Sequence, residues 1–297
     1  MERSFISGDW GTSRLRLRWM RDAPLEVVAE LEREVGIAAT FAAWQEAGSP
    51  ADRESYYLAV LGPLVSDFPD DVPLVLSGMA SSSIGLRELP YADTPFPLTG
   101  ATLPVIRIEG VLPREVVLLS GVRAEEDVMR GEETIVMGLE LGEGLYVLPG
   151  THSKHVEVHD GAIQGFRTYL TGELFALLRE QSVLRTSLEV AEGPDEAFRE
   201  AVQRARETEL LHELFTPRAR TLLKGTSPRE NGQRLLGTLI GHELATLPPR
   251  ERVVLAAEGP LRSYYRTALE ALGHRVELAG DLALAIARGQ RAILGQQ

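Results

Sequence analysis

The sequence predicts an α/β chain made of two domains of the same kind. Two observations lead there. A strand–Gly-Thr turn–strand unit stands at the N-terminus and a second near the middle, and each is followed by apolar strands alternating with helical stretches. Composition agrees: 297 residues, 44% hydrophobic and 25% charged, supply a core for two domains of ordinary size and argue against wholesale disorder.

The elements follow in order. The first strand ends at Gly8-Asp9, and Trp10-Gly11-Thr12-Ser13 supply a turn. From Arg14 the pattern alternates, with Leu15, Leu17 and Trp19 on one face and Arg14, Arg16 and Arg18 on the other, the period of a half-buried strand. The stretch to about Phe68 reads as helical. Residues 73–78 form a buried strand that runs into a loop of small residues, 79–85, and residues 105–108 and 116–119 are two more short strands. A second hairpin pairs 145–148 with 154–159 across Pro149-Gly150-Thr151-His152-Ser153, and Asp160-Gly161 turns the chain into a third strand through Ile163 and Phe166. Thr171-Gly172-Glu173 opens a helical region that continues, with breaks at Gly193-Pro194, Pro217 and 225–228, to about Leu247. A buried strand at 253–257, a helix at 263–272, a strand at 275–278 and a last apolar helix from Leu282 complete the chain.

Charge and composition exclude several functions. A formal charge of −12 disfavours nucleic-acid binding through bulk positive charge, so no nucleic-acid partner is expected. Cysteine is absent, which removes disulfides, thiol nucleophiles and thiolate-held zinc together. The N-terminus lacks the apolar run of a signal peptide and no stretch approaches the ~18 apolar residues of a membrane span, so a cytoplasmic protein with no membrane partner is expected. Of 31 Lys and Arg residues only Lys154 and Lys224 are lysines, and Lys154 sits inside a motif.

Standard nucleotide signatures are missing: the chain has neither a Walker A sequence nor a G-x-G-x-x-G after a strand. His212-Glu213 and His242-Glu243 lack the second histidine of a zinc helix and read as surface pairs. Strand alternation separates His152 from His155 and His159, which argues against a metal cluster there. The two Gly-Thr hairpins carry more chemistry. A tight turn of Gly, Thr and Ser presents backbone N–H groups and hydroxyls in a concave array suited to phosphate oxygens. Two such turns make Gly11, Thr12, Ser13, Gly150 and Thr151 candidate phosphate binders, and Asp9 a candidate for holding Mg²⁺ through its waters.

The order Gly-Asp-Trp-Gly-Thr-Ser, Pro-Gly-Thr-His-Ser-Lys, Ala-Ala-Glu-Gly-Pro-Leu resembles the two phosphate segments and the adenosine segment of the actin-like ATPase superfamily. Within it, 129–134 (MRGEET), 149–154 (PGTHSK) and 166–174 (FRTYLTGEL) resemble the 2-dehydro-3-deoxygalactonokinase family, and the similarity runs essentially end to end. Two positions depart from the family's pattern: Glu258-Gly259-Pro260 replaces a Gly-Thr/Ser pair, and His155 stands where tryptophan is common.

The resemblance implies two RNase H-like domains with an interdomain active-site cleft. It assigns residues 1–139 mainly to the sugar acid, and residues 140–297, with a helical insertion, mainly to ATP. It implies ATP with Mg²⁺ phosphorylating the terminal hydroxyl of 2-dehydro-3-deoxy-D-galactonate to the 6-phosphate in galactonate catabolism. The alternative is a kinase of the same fold for another sugar acid or a ketose. In related kinases the base is an acid at a helix start ahead of the second phosphate loop, which points to Glu132 first and Glu133 second. The structural alternative for such an acid is stabilisation of the helix dipole. Lys154 and Arg167 are candidates for the substrate carboxylate, and His152 for phosphate or substrate. Ser77, Gly78 and Met79 match the substrate loop, and Gly259 the adenosine segment. Arg14 suits either the γ-phosphate or a solvent-facing strand position, and the helices after Glu173 offer a surface for a homodimer.

Overall fold

A computed structural model describes residues 4–48, 52–248 and 252–295. The chain divides into two compact units. The first takes the described residues through Gly142 together with His159–Gly165 and those from Gly280 on; the second takes Glu143–Val158 and Phe166–Ala279.

In the first unit, strands β1 (Ser4–Trp10), β2 (Leu15–Asp22) and β3 (Leu25–Arg33) form an antiparallel meander. Strands β4 (Leu74–Gly78), β5 (Val105–Ile108) and β6 (Val116–Leu119) follow, and the sheet order is β3-β2-β1-β4-β6-β5, with β4 parallel to both β1 and β6. Helices α1 (Ile37–Glu46) and α2 (Arg53–Val65) cover one face. Ile6, Trp10, Leu15, Leu17, Leu74 and Leu76 of the sheet share a core with Ile37, Tyr57, Leu58 and Leu61 of these helices. Helix α3 (Glu132–Leu139) lies at the end of the unit's N-terminal segment.

The second unit repeats the plan. Strands β7 (Gly144–Leu148), β8 (Ser153–His159), β9 (Ala162–Tyr169), β10 (Val253–Leu255) and β11 (Val276–Leu278) stand in the order β11-β10-β7-β8-β9, with His159 and the first residues of β9, through Gly165, counted in the first unit. β7 and β8 are antiparallel, while β10 is parallel to both β7 and β11. Asp160 and Gly161, at φ 51° and 68°, make the left-handed two-residue turn that joins β8 to β9. Helices α4 (Thr171–Gln181), α5 (Glu196–Arg204), α6 (Thr216–Lys224), α7 (Pro228–Leu244) and α8 (Gly259–Ala271) complete the unit. Leu145, Val147, Val253 and Leu255 form its core with Phe198, Val202, Ile240, Leu244 and Tyr265. A meander of three strands extended by two parallel strands on the side of the first is the RNase H-like order, and it occurs twice. Among the described residues no helix is long and apolar enough to cross a membrane.

Three expectations change. The segment read as helical to Phe68 begins with strand β3. β3 is a largely exposed edge strand, so no buried face prints a period of two on its sequence. Cross-strand ion pairs of Glu26, Glu30 and Glu32 with Arg21, Arg18 and Arg16 tie it to β2. The arginine face of β2 is not wholly open either: Arg18 is buried and pairs with Glu30, and the last helix, α9 (Leu282–Leu294), packs on the flanking strands β1 and β3. Finally, the chain does not divide once at 139/140. Ala162 and Ile163 pair with Pro97 and Phe96 in the first unit. Helix α9 joins that unit because glycines let its backbone meet α3: a Cβ on Gly138 would lie 1.7 Å from the Ala285 carbonyl oxygen, and one on Gly289 2.2 Å from that of Thr134.

This contact gives a test. Alanine is the better helix former by about 1 kcal/mol, yet backbone cannot yield to the new methyl, so Gly138→Ala should destabilise the chain by about 2–3 kcal/mol. Urea unfolding measures it, and a neutral or stabilising effect would refute the close packing of α3 on α9.

Candidate active site

The pairing Trp10↔Leu15 leaves Gly11–Arg14 as a four-residue tip, closed by a bond from the Gly11 N–H to the Arg14 carbonyl at 2.9 Å. The first turn of α1 sits against this tip. The amides of Gly36, Ile37 and Ala38 donate to the carbonyls of Ser13, Gly11 and Thr12 at 3.0–3.1 Å, which satisfies the orphan donors of the helix start. In a trans peptide the N–H points opposite to the C=O. The amides of Thr12, Ser13 and Arg14 therefore face away from α1, on an exposed tip, in the arrangement that binds anions. Gly36 makes the contact possible, since a Cβ there would stand 2.2 Å from the Thr12 carbonyl oxygen. While its amide belongs to the tip, the Arg14 side chain pairs with Glu32 at 3.2 Å on the exposed sheet surface.

Asp9 lies opposite Arg16 in the β1–β2 ladder, with Arg16 Nη1 3.7 Å from its carboxylate. On its other side is Gly78, at φ +82°, where a Cβ would come within 3.2 Å of Asp9 Oδ1. Gly131, at φ +107°, approaches Gly78 as closely and starts α3 beside it. Burial pushes the Asp9 carboxyl up, Arg16 and Arg18 pull it back, and Glu132 adds to the upward push, so Asp9 and Glu132 share one electrostatic environment.

The two acids that open α3 part company. Glu132 is half-buried and accepts the Arg130 amide at 3.1 Å. Glu133 is fully buried, and its oxygens accept the Gly131 amide at 2.8 and 3.0 Å and the Thr134 hydroxyl at 2.9 Å. Burial, followed by the neighbouring Glu132, pushes the Glu133 carboxyl up to about 8. As the second choice for the base, Glu133 is thus occupied in holding the turn, which leaves Glu132 as the acid with access. Arg130, to which the sequence pattern assigns no role, ties this segment to three others. Its guanidinium donates to Ser81, Ser120 and the Leu89 carbonyl and lies 3.9 Å from the centre of the Tyr91 ring.

Of the expected substrate loop, Gly78 alone lies at this site by its contact with Asp9. Ser77 is buried, and its hydroxyl accepts from Gln290 Nε2 at 2.9 Å, so it fastens α9 to β4 instead of facing a ligand. Met79 packs against the core cluster of the unit.

In the second unit, the turn between β7 and β8 meets the first turn of α4 in the same manner. The Glu173 amide donates to the Thr151 carbonyl at 2.9 Å, and a Cβ on Gly172 would lie 2.3 Å from the Gly150 carbonyl oxygen. His152 pairs with Glu173 through Nε2. Lys154 is 4% exposed and its ammonium donates to the His152 carbonyl at 3.2 Å, so it braces the turn from within and is not a solvated strand residue. Arg167 is exposed and has no ion pair among the described residues, which leaves its guanidinium available.

Beside Gly150 and Thr151 opens a cavity of about 390 Å³ with mostly apolar walls that include Phe175, Leu236, Ile240, Pro260, Leu261 and Tyr264. Gly259, at φ +55°, starts α8 and delivers Pro260 and Leu261 to that wall. Glu243, read from sequence as half of a surface pair, is buried next to this cavity and accepts hydrogen bonds from Ser153, His155, Thr171 and Tyr265. Its position on the inward face of α7 was legible only as helical spacing from Leu236, Leu239 and Ile240.

Comparison with known proteins adds an independent line. The family model described as 2-keto-3-deoxy-galactonokinase matches residues 9–293. A Rhizobium meliloti protein named as a 2-dehydro-3-deoxygalactonokinase is 34% identical over 290 residues, 92% of this chain and 90% of its own. The Escherichia coli K12 protein named 2-dehydro-3-deoxygalactonokinase is 32% identical over 299 residues, 95% of each chain. The crystal structure of a Sinorhizobium meliloti protein described as a 2-dehydro-3-deoxygalactonokinase superposes with a TM-score of 0.83 at 32% identity, covering 98% of this chain and 95% of that one.

Glu133 supplies a pH test. Its carboxyl rises from an ordinary 4.5 to about 8, so the folded chain keeps a proton that the unfolded chain releases. The stability this group contributes is complete below about pH 4.5, falls by a few kcal/mol as pH rises to about 8, and then levels off. In Glu133→Gln this component should vanish. Denaturant unfolding of both proteins between about pH 5 and 9 measures the difference, and parallel curves would contradict the assignment.

Proposed function

This chain belongs to the 2-keto-3-deoxy-galactonokinase family, and on that premise we propose that it transfers a phosphoryl group from ATP to the terminal hydroxyl of 2-dehydro-3-deoxy-D-galactonate, yielding the 6-phosphate. The observation that carries the reading is the pairing of Glu132 with Asp9 in one environment, on a chain whose named kinase relatives match it almost end to end.

Each residue then has a task in the chemistry. Phosphoryl transfer needs positioning, charge neutralisation and a proton acceptor. The amides of Thr12, Ser13 and Arg14 would hold phosphate oxygens, as would Gly150 and Thr151 in the second unit. The apolar cavity next to Gly150 suits an adenine, with Pro260 and Leu261 as one wall. Asp9, a carboxylate at a strand end, fits Mg²⁺ held largely through its own waters, with Glu132 in the same electrostatic environment. That ion supplies charge neutralisation at the transferred phosphate when bound. Glu132, oriented by the Arg130 amide, would accept the hydroxyl proton. Arg167 offers a free guanidinium for the substrate carboxylate, while Lys154, and His152 with Glu173, hold the second turn in shape.

The proposal places the reaction in the cytoplasm, in galactonate catabolism. A homodimer forming through the helices after Glu173 is part of it, supported by the exposed side chains of Leu211, Phe215, Leu222 and Leu223. Analytical ultracentrifugation tests that point: a monomer at micromolar concentration would remove it.

ADP release from Mg-ATP, compared across 2-dehydro-3-deoxygalactonate, its gluconate epimer, galactonate and common hexoses, tests the activity. Turnover confined to the first is expected. Turnover with another acid or a ketose would replace the substrate, and silence on all would sink the kinase reading. Glu132→Gln should lower kcat by roughly 10²–10⁴-fold with the KM for ATP nearly unchanged, and full activity in that variant would remove Glu132 as the base.

A further inference from the structure

Glu243 is the most heavily bonded buried carboxylate among the described residues, and the role given to each loop above does not account for it. Its side chain is 1% exposed. One oxygen accepts the Ser153 hydroxyl at 2.7 Å and His155 Nε2 at 2.8 Å; the other accepts the Thr171 hydroxyl and the Tyr265 hydroxyl, the latter at 2.7 Å. Three hydroxyls and an imidazole thus saturate both oxygens. Burying a carboxylate is costly, and apolar side chains of similar size would hold α7 in place with less desolvation. What apolar packing cannot do is fix several elements in one register, because it has no direction.

The elements so fixed are those that build one site. Ser153 and His155 begin β8, immediately after the turn that carries Gly150 and Thr151. Thr171 opens α4 next to Gly172, whose missing Cβ allows the turn to sit against that helix. Tyr265 belongs to α8, whose first turn carries Pro260 and Leu261. Thr171 and Tyr265 also line the cavity themselves.

We propose that Glu243 is a positioning residue for ATP: it sets the spacing between the phosphate-holding turn at Gly150-Thr151 and the cavity wall on α8, so that phosphate and base are engaged together. The inference rests on reading that cavity as the nucleotide site. Three full-length variants test it. In Glu243→Gln the amide nitrogen turns to the Thr171 and Tyr265 hydroxyls, which can accept from it, but their protons lose their acceptor. Tyr265→Phe and Thr171→Val each remove one donor alone.

Mg-ATP binding is read by calorimetry without sugar acid, alongside the KM for each substrate and the thermal midpoint. Glu243→Gln should raise the dissociation constant and KM for ATP about tenfold or more while the KM for the sugar acid stays within about twofold; Tyr265→Phe should shift the same constants by a smaller factor. A purely structural carboxylate would instead lower the midpoint or the active fraction and leave ATP affinity unchanged in the folded protein, and that result overturns the proposal. Should Glu243→Gln fail to fold, unchanged ATP affinity in both Tyr265→Phe and Thr171→Val overturns it equally. A wild-type chain that binds no Mg-ATP refutes the nucleotide site itself, a failure visible before any substitution is made.

Discussion

Asp9 and Trp10 are adjacent on β1 and point to opposite faces of its sheet, and the first unit is arranged around that alternation. On one face the Trp10 indole is fully buried, lies 5.5 Å from the Tyr57 ring and donates to the Val35 carbonyl at 2.8 Å. That bond draws the approach to α1 onto the strand end, where the helix amides find the tip carbonyls. On the other face Asp9 meets Arg16 and lies near Arg18, with Gly78 beside it. A slip of one residue in the β1–β2 register would exchange carboxylate and indole, so the core that locks the indole also aims the acid. Glycine at 78 follows from the same constraint: the chain must turn at positive φ there without displacing the carboxylate.

The two units share more than strand order. In each, the helix that follows the three-stranded meander lays its first turn against the tip of the first hairpin, and in each a glycine makes the approach possible: Gly36 under 12–13 and Gly172 under 150–151. The contact consumes tip carbonyls and turns amides outward, which is the electrostatic requirement of a phosphate site. Position relative to the meander, rather than any longer shared string, carries this duplication, so the hairpins announce it in sequence while the glycines do not.

Neighbouring acids show why residue type alone does not assign chemistry. Glu132 and Glu133 both stand in the first turn of α3, yet successive residues on a helix point about 100° apart. One direction leads toward Asp9; the other leads into the interior, where Glu133 binds its own turn and holds a proton at neutral pH. Lys154 and Glu243 make the same point from the opposite side. Each is a charged residue on a regular element, and each is buried because another element, the second turn or the start of β8, lies against its face.

By itself, the sequence determined what depends on neighbours along the chain: the hairpins, their Gly-Thr tips, the strands at β4, β6, β7 and β10, the last helix, and the strings that mark the family. These rest on local sterics and short periods, which need no partner to be legible. Tertiary structure decided everything that depends on what lies across a surface. Strand β3 exists because β2 offers it a backbone edge to pair with, trimmed by cross-strand ion pairs, since its own sequence has no buried face. Helix α9 counts with the first unit because Gly138 and Gly289 let two backbones touch, and its Gln290 turned Ser77 from a ligand candidate into an anchor. Glu243 left the surface for the same reason: four donors from three distant segments converge where it stands, and burial of a charge is settled by such convergence, which a one-dimensional pattern does not record.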